Sequence, residues 1–494
     1  MTRTSSYSAA LGLAGLVFLG SCGDGGSSDQ PGTAANPGSG DAIGGLIAAR
    51  NEGAGDPSLF VILRPSGDDP LAEGWTEERV QGVDRRVSLW IGELPNGDTV
   101  WRCVDEADGP LDTPMRLTPG DDAWTLEPWE GIALEDVEWK TSGGEPSTFD
   151  YQLVDGNVFH KAMYFEPRFG EPGILTISGN VGVMKIWRKN DGAWTSEQLW
   201  TDFIGDQQQR IRDVEVGDVD GDGEDELVVV THNRGGVYVL EQTEGGLEAT
   251  TVASTDESIF VHEVEIGQAD DDAALEFFTT PSEPNLFDGT DQAGRVDRYD
   301  FVDGQYVQST VEDDPKSHAK EVLAVDMDGD GKVEIYAALE GPGLRPDFTG
   351  DGPGHLASYT FGADGSVTKE IINDLKGPMC RFLSVGDIDG DGRPQIVAST
   401  SRDGIFSFSR ADDGTWDRRK VAGGFRSSGF EHAMVVVDVN GDGIDEVVAA
   451  SDKEKQVQAF EWDGEKGRWV PDKLLDVDVA SYMTWGILPI PAGH

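Results

Sequence analysis

Residues 218–230 read Asp-Val-Asp-Gly-Asp-Gly-Glu-Asp-Glu-Leu-Val-Val-Val, and four further stretches repeat this plan. Gln268 opens QADDDAALEFF, Asp326 opens DMDGDGKVEIYAA, Asp387 opens DIDGDGRPQIVAS and Asp438 opens DVNGDGIDEVVAA, at spacings of 50, 58, 61 and 51 residues. Each follows an alternating apolar segment, as in residues 214–216 and 264–266. Each precedes a β-branched run, as in residues 227–230 and 396–398. A strand, an acidic turn and a second strand make a hairpin. Third strands are expected at residues 236–240, 404–408 and 457–462, and fourth strands at 248–253, 368–372 and 416–421. Four strands per period of this length describe a propeller blade. A further copy lies upstream, with strands at 160–165, 174–177, 182–187 and 195–200, but its loop at 166–173 lacks the acidic pattern.

The expected fold is therefore all-β, a propeller of seven four-stranded blades. After the outer strand at 469–475 the chain ends in one more strand, 481–490, which alone would leave a raw sheet edge. Closure by a shared blade follows, with N-terminal strands completing what the C-terminal strand begins. Residues 41–155 supply the candidates 58–63, 86–94, 99–104 and 149–154, or else form a small separate β-unit. The propeller proper is expected over residues 156–494.

In each acidic loop, side-chain oxygens fall at positions 1, 3, 5 and 9, with glycine at 4 and 6. The sets are Asp218, Asp220, Asp222 and Glu226; Asp326, Asp328, Asp330 and Glu334; Asp387, Asp389 and Asp391; and Asp438, Asn440, Asp442 and Glu446. Glycine admits the positive φ of a tight wrap, and several hard oxygens suit Ca²⁺ better than zinc or copper. About four calcium sites are expected. The loop from Gln268 departs most, because Asp271 and Ala273 replace both glycines, and it is left out of this set although Asp270, Asp272 and Glu276 remain. An EF-hand would need a Glu at position 12 and a following helix, whereas position 12 of the first loop is Val229 within a β-branched run.

These units resemble FG-GAP/VCBS repeats, the calcium-loop blades also found in integrin α-subunit propellers. The resemblance spans about residues 159–490 and rests on the repeated DxDGDGxxE before an apolar strand. It implies a backbone carbonyl ligand at position 7, which here is Glu224, Lys332, Arg393 or Ile444. Propellers of this family commonly bind a glycan or a protein, and some proteins that carry them are carbohydrate lyases.

Six residues before each loop stands a basic residue: Arg212, His262, Lys320, Arg381 and His432, with His160 in the upstream copy. Position −4 is apolar throughout, so period-2 alternation places both on one strand face. His318, two residues before Lys320, shares that end. The bases are expected to ring one mouth of the channel, with the acidic loops at the other. A carboxylate, sulfate or phosphate would suit such a ring. The alternatives are simple neutralisation of nearby acids, or a transition metal held by His160, His262 and His432. The loops 281–294 and 340–354 are candidate pocket walls.

The chain has 494 residues, with 38 Lys+Arg against 92 Asp+Glu and a net charge of −54. That balance argues against nucleic acid or an anionic membrane face as a partner. Residues 1–21 read as an export signal: Arg3, then an apolar run at 9–19 too short to span a bilayer. Leu-Gly-Ser-Cys at 19–22 resembles a lipobox, with Cys22 the lipidated residue and residues 22–40 a Gly/Ser/Pro tether. Cys103 and Cys380 either pair or stay free. The expectation is an exported, lipid-anchored, calcium-binding propeller of the bacterial cell envelope that binds a glycan or protein at its basic mouth. The alternatives are a lyase or dehydratase acting on an anionic or oxidised sugar, with His160, His262 or His432 as the base, and an envelope scaffold.

Overall fold

The computed structural model describes residues 43–494 except 53–57, 82–85, 106–108, 119–124, 143–144, 147, 153–156, 180–181, 203–209, 233–234, 256–258, 284–285, 287, 346–348, 401–402, 424–432 and 479–481. Cys22, the leader and tether, and His432 lie outside the described residues. Among the described residues no helix is long and apolar enough to cross a membrane.

Six consecutive sheets have the order inner, second, third, outer. Blade one begins with the inner strand Asn157–Phe165, blade two with Ile211–Gly217 and blade three with Phe260–Gly267. Blades four, five and six begin with Ala319–Val325, Cys380–Gly386 and Met434–Val437. The seventh sheet is composite. Its inner strand is the C-terminal Tyr482–Pro491, followed outward by Ile43–Glu52, Ser58–Pro65 and Trp75–Gln81. Each inner strand packs on the next, and Tyr482–Pro491 packs on both Met434–Val437 and Asn157–Phe165, which closes the ring.

The core is correspondingly divided into seams. In blade two, Leu227 and Val229 join the apolar cluster shared with blade one, while Val228 and Val230 join that shared with blade three. The same alternation holds in the closing blade, where Leu46 and Ala48 face blade six and Ile47 and Ala49 face blade one. Both faces of a blade are therefore apolar, which explains the continuous β-branched runs. Each such side chain contributes about 1.5–3 kcal/mol by leaving water.

The strand directly paired with the C-terminus, Ile43–Glu52, is not among those anticipated from sequence. Of the anticipated set only Ser58–Pro65 enters the closing blade. Arg86–Glu93, Thr99–Asp105 and Thr148–Gln152 instead pair with one another in a separate sheet that also contains Gly109–Thr118 and Thr125–Pro128. Cys103 lies in that sheet and Cys380 in blade five; both are buried, and the two are not joined in a disulfide.

Candidate functional site

The acidic loops join inner to second strands, at the far end of each inner strand from its basic residue. Asp218 is the organiser of its loop: Oδ1 accepts from the N–H of Gly221 at 2.8 Å and Asp222 at 3.1 Å, and Oδ2 from Gly223 at 2.9 Å. The Asp326 and Asp438 loops repeat the three bonds, and Asp387 makes two of them. The glycines at positions 4 and 6 take positive φ in all four loops, +76° and +90° in the first. At position 9, Glu226, Glu334, Gln395 and Glu446 each accept from the N–H of position 2.

Three carboxylates come within 4.8 Å of one another in Asp218/Asp220/Glu226, in Asp326/Asp328/Glu334 and in Asp387/Asp389/Asp391. Asp222 and Asp330 stand outside these groups, each accepting a backbone N–H at 2.9 Å. In blade six the carboxylate group is Asp442, Glu446 and Glu461, without Asp438, and Asn440 Nδ2 donates to Glu446 Oε1 at 3.1 Å. Glu461 was not anticipated, because it comes from the third strand and only the sheet register brings it to the loop. Asp270, Asp272 and Glu276 also converge. Such oxygen sets could hold metal ions. Uncompensated, burial and the neighbouring Asp220 push Glu226 up to about 8, and burial followed by Asp442 pushes Glu446 to about 8.

At the opposite end the basic residues are gathered. His160, His262, His318, Lys320 and Arg381 are buried and Arg212 is half-buried. The simple alternation argument does not reach them, because the inner strands are bulged there. The pairing register skips between Phe159 and Lys161, Ile211 and Asp213, Val261 and Val264, Ala319 and Glu321, and Cys380 and Phe382. Each −6 residue is thus left out of the pairing, the device by which a strand re-aims a side chain.

An Arg212 N–H donates to His160 Nδ1 at 2.7 Å, which puts the neutral imidazole's proton on Nε2. His160 stacks on Trp485 of the closing blade at 5.1 Å, and Arg212 lies 5.9 Å from the same ring. His318 Nδ1 stands 3.4 Å from Glu340 Oε2. Burial and the cations around them, Arg212 for His160 and Lys320 and Arg212 for His262, hold both imidazoles well below the usual range. Burial draws Lys320 down to about 7 together with Arg381 and Arg212, against the opposing pull of Glu340. Burial alone would raise Glu340, but Lys320, His318 and Arg381 outweigh it and hold it at about 2.

Buried polar atoms without partners collect here, the acceptor Glu340 Oε1 among them. His160 Nε2, Arg212 Nε, Trp485 Nε1, His318 Nε2 and both nitrogens of His262 are buried with no hydrogen-bond partner among the described residues. The loops after Glu276–Ser282 and Glu334–Leu339 meet nearby, where Gly289 N–H donates to the Leu344 carbonyl at 3.0 Å. None of the converging ligand groups among the described residues contains a histidine.

Residues 387–449, running from the acidic loop of blade five into blade six, match the model of the FG-GAP-like repeat. That stretch is an FG-GAP-like repeat. No curated protein matches it. Among solved structures it resembles a protein described as a candidate 6-phosphogluconolactonase of Bacteroides uniformis, at 13% identity and a TM-score of 0.41, over 82% of this chain and 99% of that one. That likeness is too slight to carry an argument about chemistry.

Alongside its basic collar the propeller has acidic groups not anticipated from the sequence. They stand on blades two to four at positions −5 and −3: Asp213, Glu215, Glu263, Glu265 and Glu321. Lys161, at −5 in blade one, crosses to blade two and binds Asp213 Oδ1 at 2.9 Å, the Val214 carbonyl at 2.9 Å and Glu215 Oε1. Those carboxylates keep Lys161 charged despite its burial. Burial pushes Glu215 to about 7 and Glu321 to about 8, and raises Glu263 and Glu265 further. The signal was present as a charged residue at position −5 in four inner strands, repeated at −3 in blades two and three.

Proposed function

We propose that this protein is an exported, calcium-binding propeller, tethered through Cys22 to a membrane of the cell envelope, which binds an anionic glycan or an acidic protein segment at the basic end of its channel. A cluster of buried donors without partners carries this reading. His160 Nε2–H, Arg212 Nε–H and Trp485 Nε1–H have no acceptor among the described residues, while guanidinium and ammonium groups crowd around them. A buried donor without a partner costs about 1–3 kcal/mol, and a bound carboxylate would satisfy several at once. The loops supply the calcium, because their hard oxygens suit that ion and an exported chain meets it in abundance.

Titration of the calcium-loaded protein with a soluble polyuronate tests it. The expected result is saturable binding that weakens at least tenfold in Arg212→Ala with melting unchanged. Equal binding by wild type and by Arg212→Ala would overturn the reading.

A second reading, β-elimination from a uronate, is favoured by Lys320. An amine drawn down to about 7 beside Arg381 can act as a base while the arginine neutralises the substrate carboxylate. Release of an unsaturated uronate product by wild type but not by Lys320→Met would favour the enzyme.

A further inference from the structure

The loop from Gln268 to Glu276 has the acidity of its sisters but a different centre. Arg298, on the third strand of blade three, sends its guanidinium into it. Nη2 lies 2.7 Å from Asp270 Oδ2 and 3.2 Å from Glu276 Oε1, and Nε donates to Asp300 Oδ1 at 2.7 Å. The side chain is 11% exposed, and its guanidinium stands 5.0 Å from the Phe361 ring of blade four. One planar fork with five donors thus joins three carboxylates.

Three further observations set this loop apart. Arg298 pairs across the sheet with Phe278, and the matching cross-strand positions of the other calcium-type blades hold Val239, Ser358, Ser407 and Ala459. Those side chains are too short or too apolar to fill a carboxylate cage. Asp271 and Ala273, at positions 4 and 6, do not take the positive φ that the sister glycines share, so the backbone does not make the same wrap. The organising aspartate is replaced by Gln268, whose Nε2 donates to the Asp272 carbonyl at 2.9 Å and whose Oε1 accepts from Asp270 N–H at 3.0 Å.

We propose that Arg298 is a built-in cation, filling the place a divalent ion takes in the sister loops, so that blade three holds its hairpin without metal; trimming the arginine to serine turns the loop into a calcium site. The inference rests on reading the four sister loops as calcium cages. A fixed guanidinium cannot be stripped by a chelator, so blade three keeps its loop when the others lose theirs. Its charge also repels an incoming ion from the carboxylates it already neutralises.

Equilibrium dialysis of calcium against the full-length exported protein decides the matter. Asp272→Asn is expected to leave the number of bound ions unchanged, and Arg298→Ser to add one. Arg298→Lys, which keeps a positive charge in the cage, should bind the wild-type number. Loss of an ion in Asp272→Asn, or no gain in a folded Arg298→Ser, overturns the proposal. Should Arg298→Ser fold only when calcium is added, that rescue itself counts as the gained site. Asp222→Asn serves as the control and should lose one ion. If it does not, the cage reading of the sister loops fails, and the Arg298→Ser count still decides what the arginine does.

Discussion

Lys320 and Glu321 are consecutive in the chain, and the same burial moves them oppositely, the amine down to about 7 and the acid up to about 8. For Glu321 burial dominates. Arg381 and Arg212 oppose it, while Asp213 and Glu340 add to it. The folded chain therefore holds a proton on Glu321 from its ordinary 4.5 up to about 8, where the unfolded chain has released it. The stabilisation is complete below the unfolded value and is lost as the pH rises through the folded one. Glu321→Gln, which keeps the shape and cannot ionise, should gain on wild type as the pH is raised from about 5 to about 8.5. Melting temperatures in calcium buffer measure this; a difference that stays constant across that range would count against a buried acid here.

At the scale of the element, the acidic loops are joined edge to edge. Position 8 of one loop donates its N–H to the first carbonyl of the preceding blade's loop: Leu275 to Asp218 at 2.9 Å, Val333 to Gln268 at 2.7 Å and Asp445 to Asp387 at 3.0 Å. In blade five position 8 is Pro394, which has no N–H, so the series is broken between blades four and five. The glycines inside a loop are not equivalent. A Cβ at Gly223 meets nothing within 4 Å, while one at Gly221 stands 3.1 Å from the Ala274 nitrogen of the next blade. Gly223→Ala should then cost about 1–2 kcal/mol from its positive φ alone, and Gly221→Ala more, measured by urea unfolding in calcium. Equal costs would mean that the neighbouring loop yields freely. The blades were legible in the sequence because both strand runs and turn chemistry are local signals repeated five times. What escaped depends on register between distant segments. The bulge that re-aims Lys320, the reach of Glu461 and Arg298 into their loops, and the pairing of Ile43–Glu52 with the C-terminus cannot be read from spacing along one strand. Ile43–Glu52 also carries Gly44 and Gly45 in a strand without strict alternation, which hides it.

For the whole molecule, charge and closure are the governing facts. Basic groups gather at the start of the inner strands and acidic cages at their ends, so an axial asymmetry runs through a chain whose net charge is −54. The ring is closed by hydrogen bonds between the two ends of the described chain, with Ile43 opposite Pro491 and Glu52 opposite Tyr482. Deleting residues 482–494 removes the inner strand of the seventh blade and uncovers the edges of Ile43–Glu52 and the flank of blade one. The intact protein should melt in a single cooperative transition, and that variant should lose it and associate in solution. Calorimetry and light scattering would show it, and a monomer with an unchanged melt would disprove closure as the source of cooperativity.

The composite seventh sheet has a temporal corollary. Ile43–Glu52 is made before the six blades that lie between it and its partner Tyr482–Pro491, so while those blades are synthesised it waits with its apolar residues unclaimed. A ring built this way cannot lock until Tyr482–Pro491 has been made, and it remains threadable for as long as that strand is withheld.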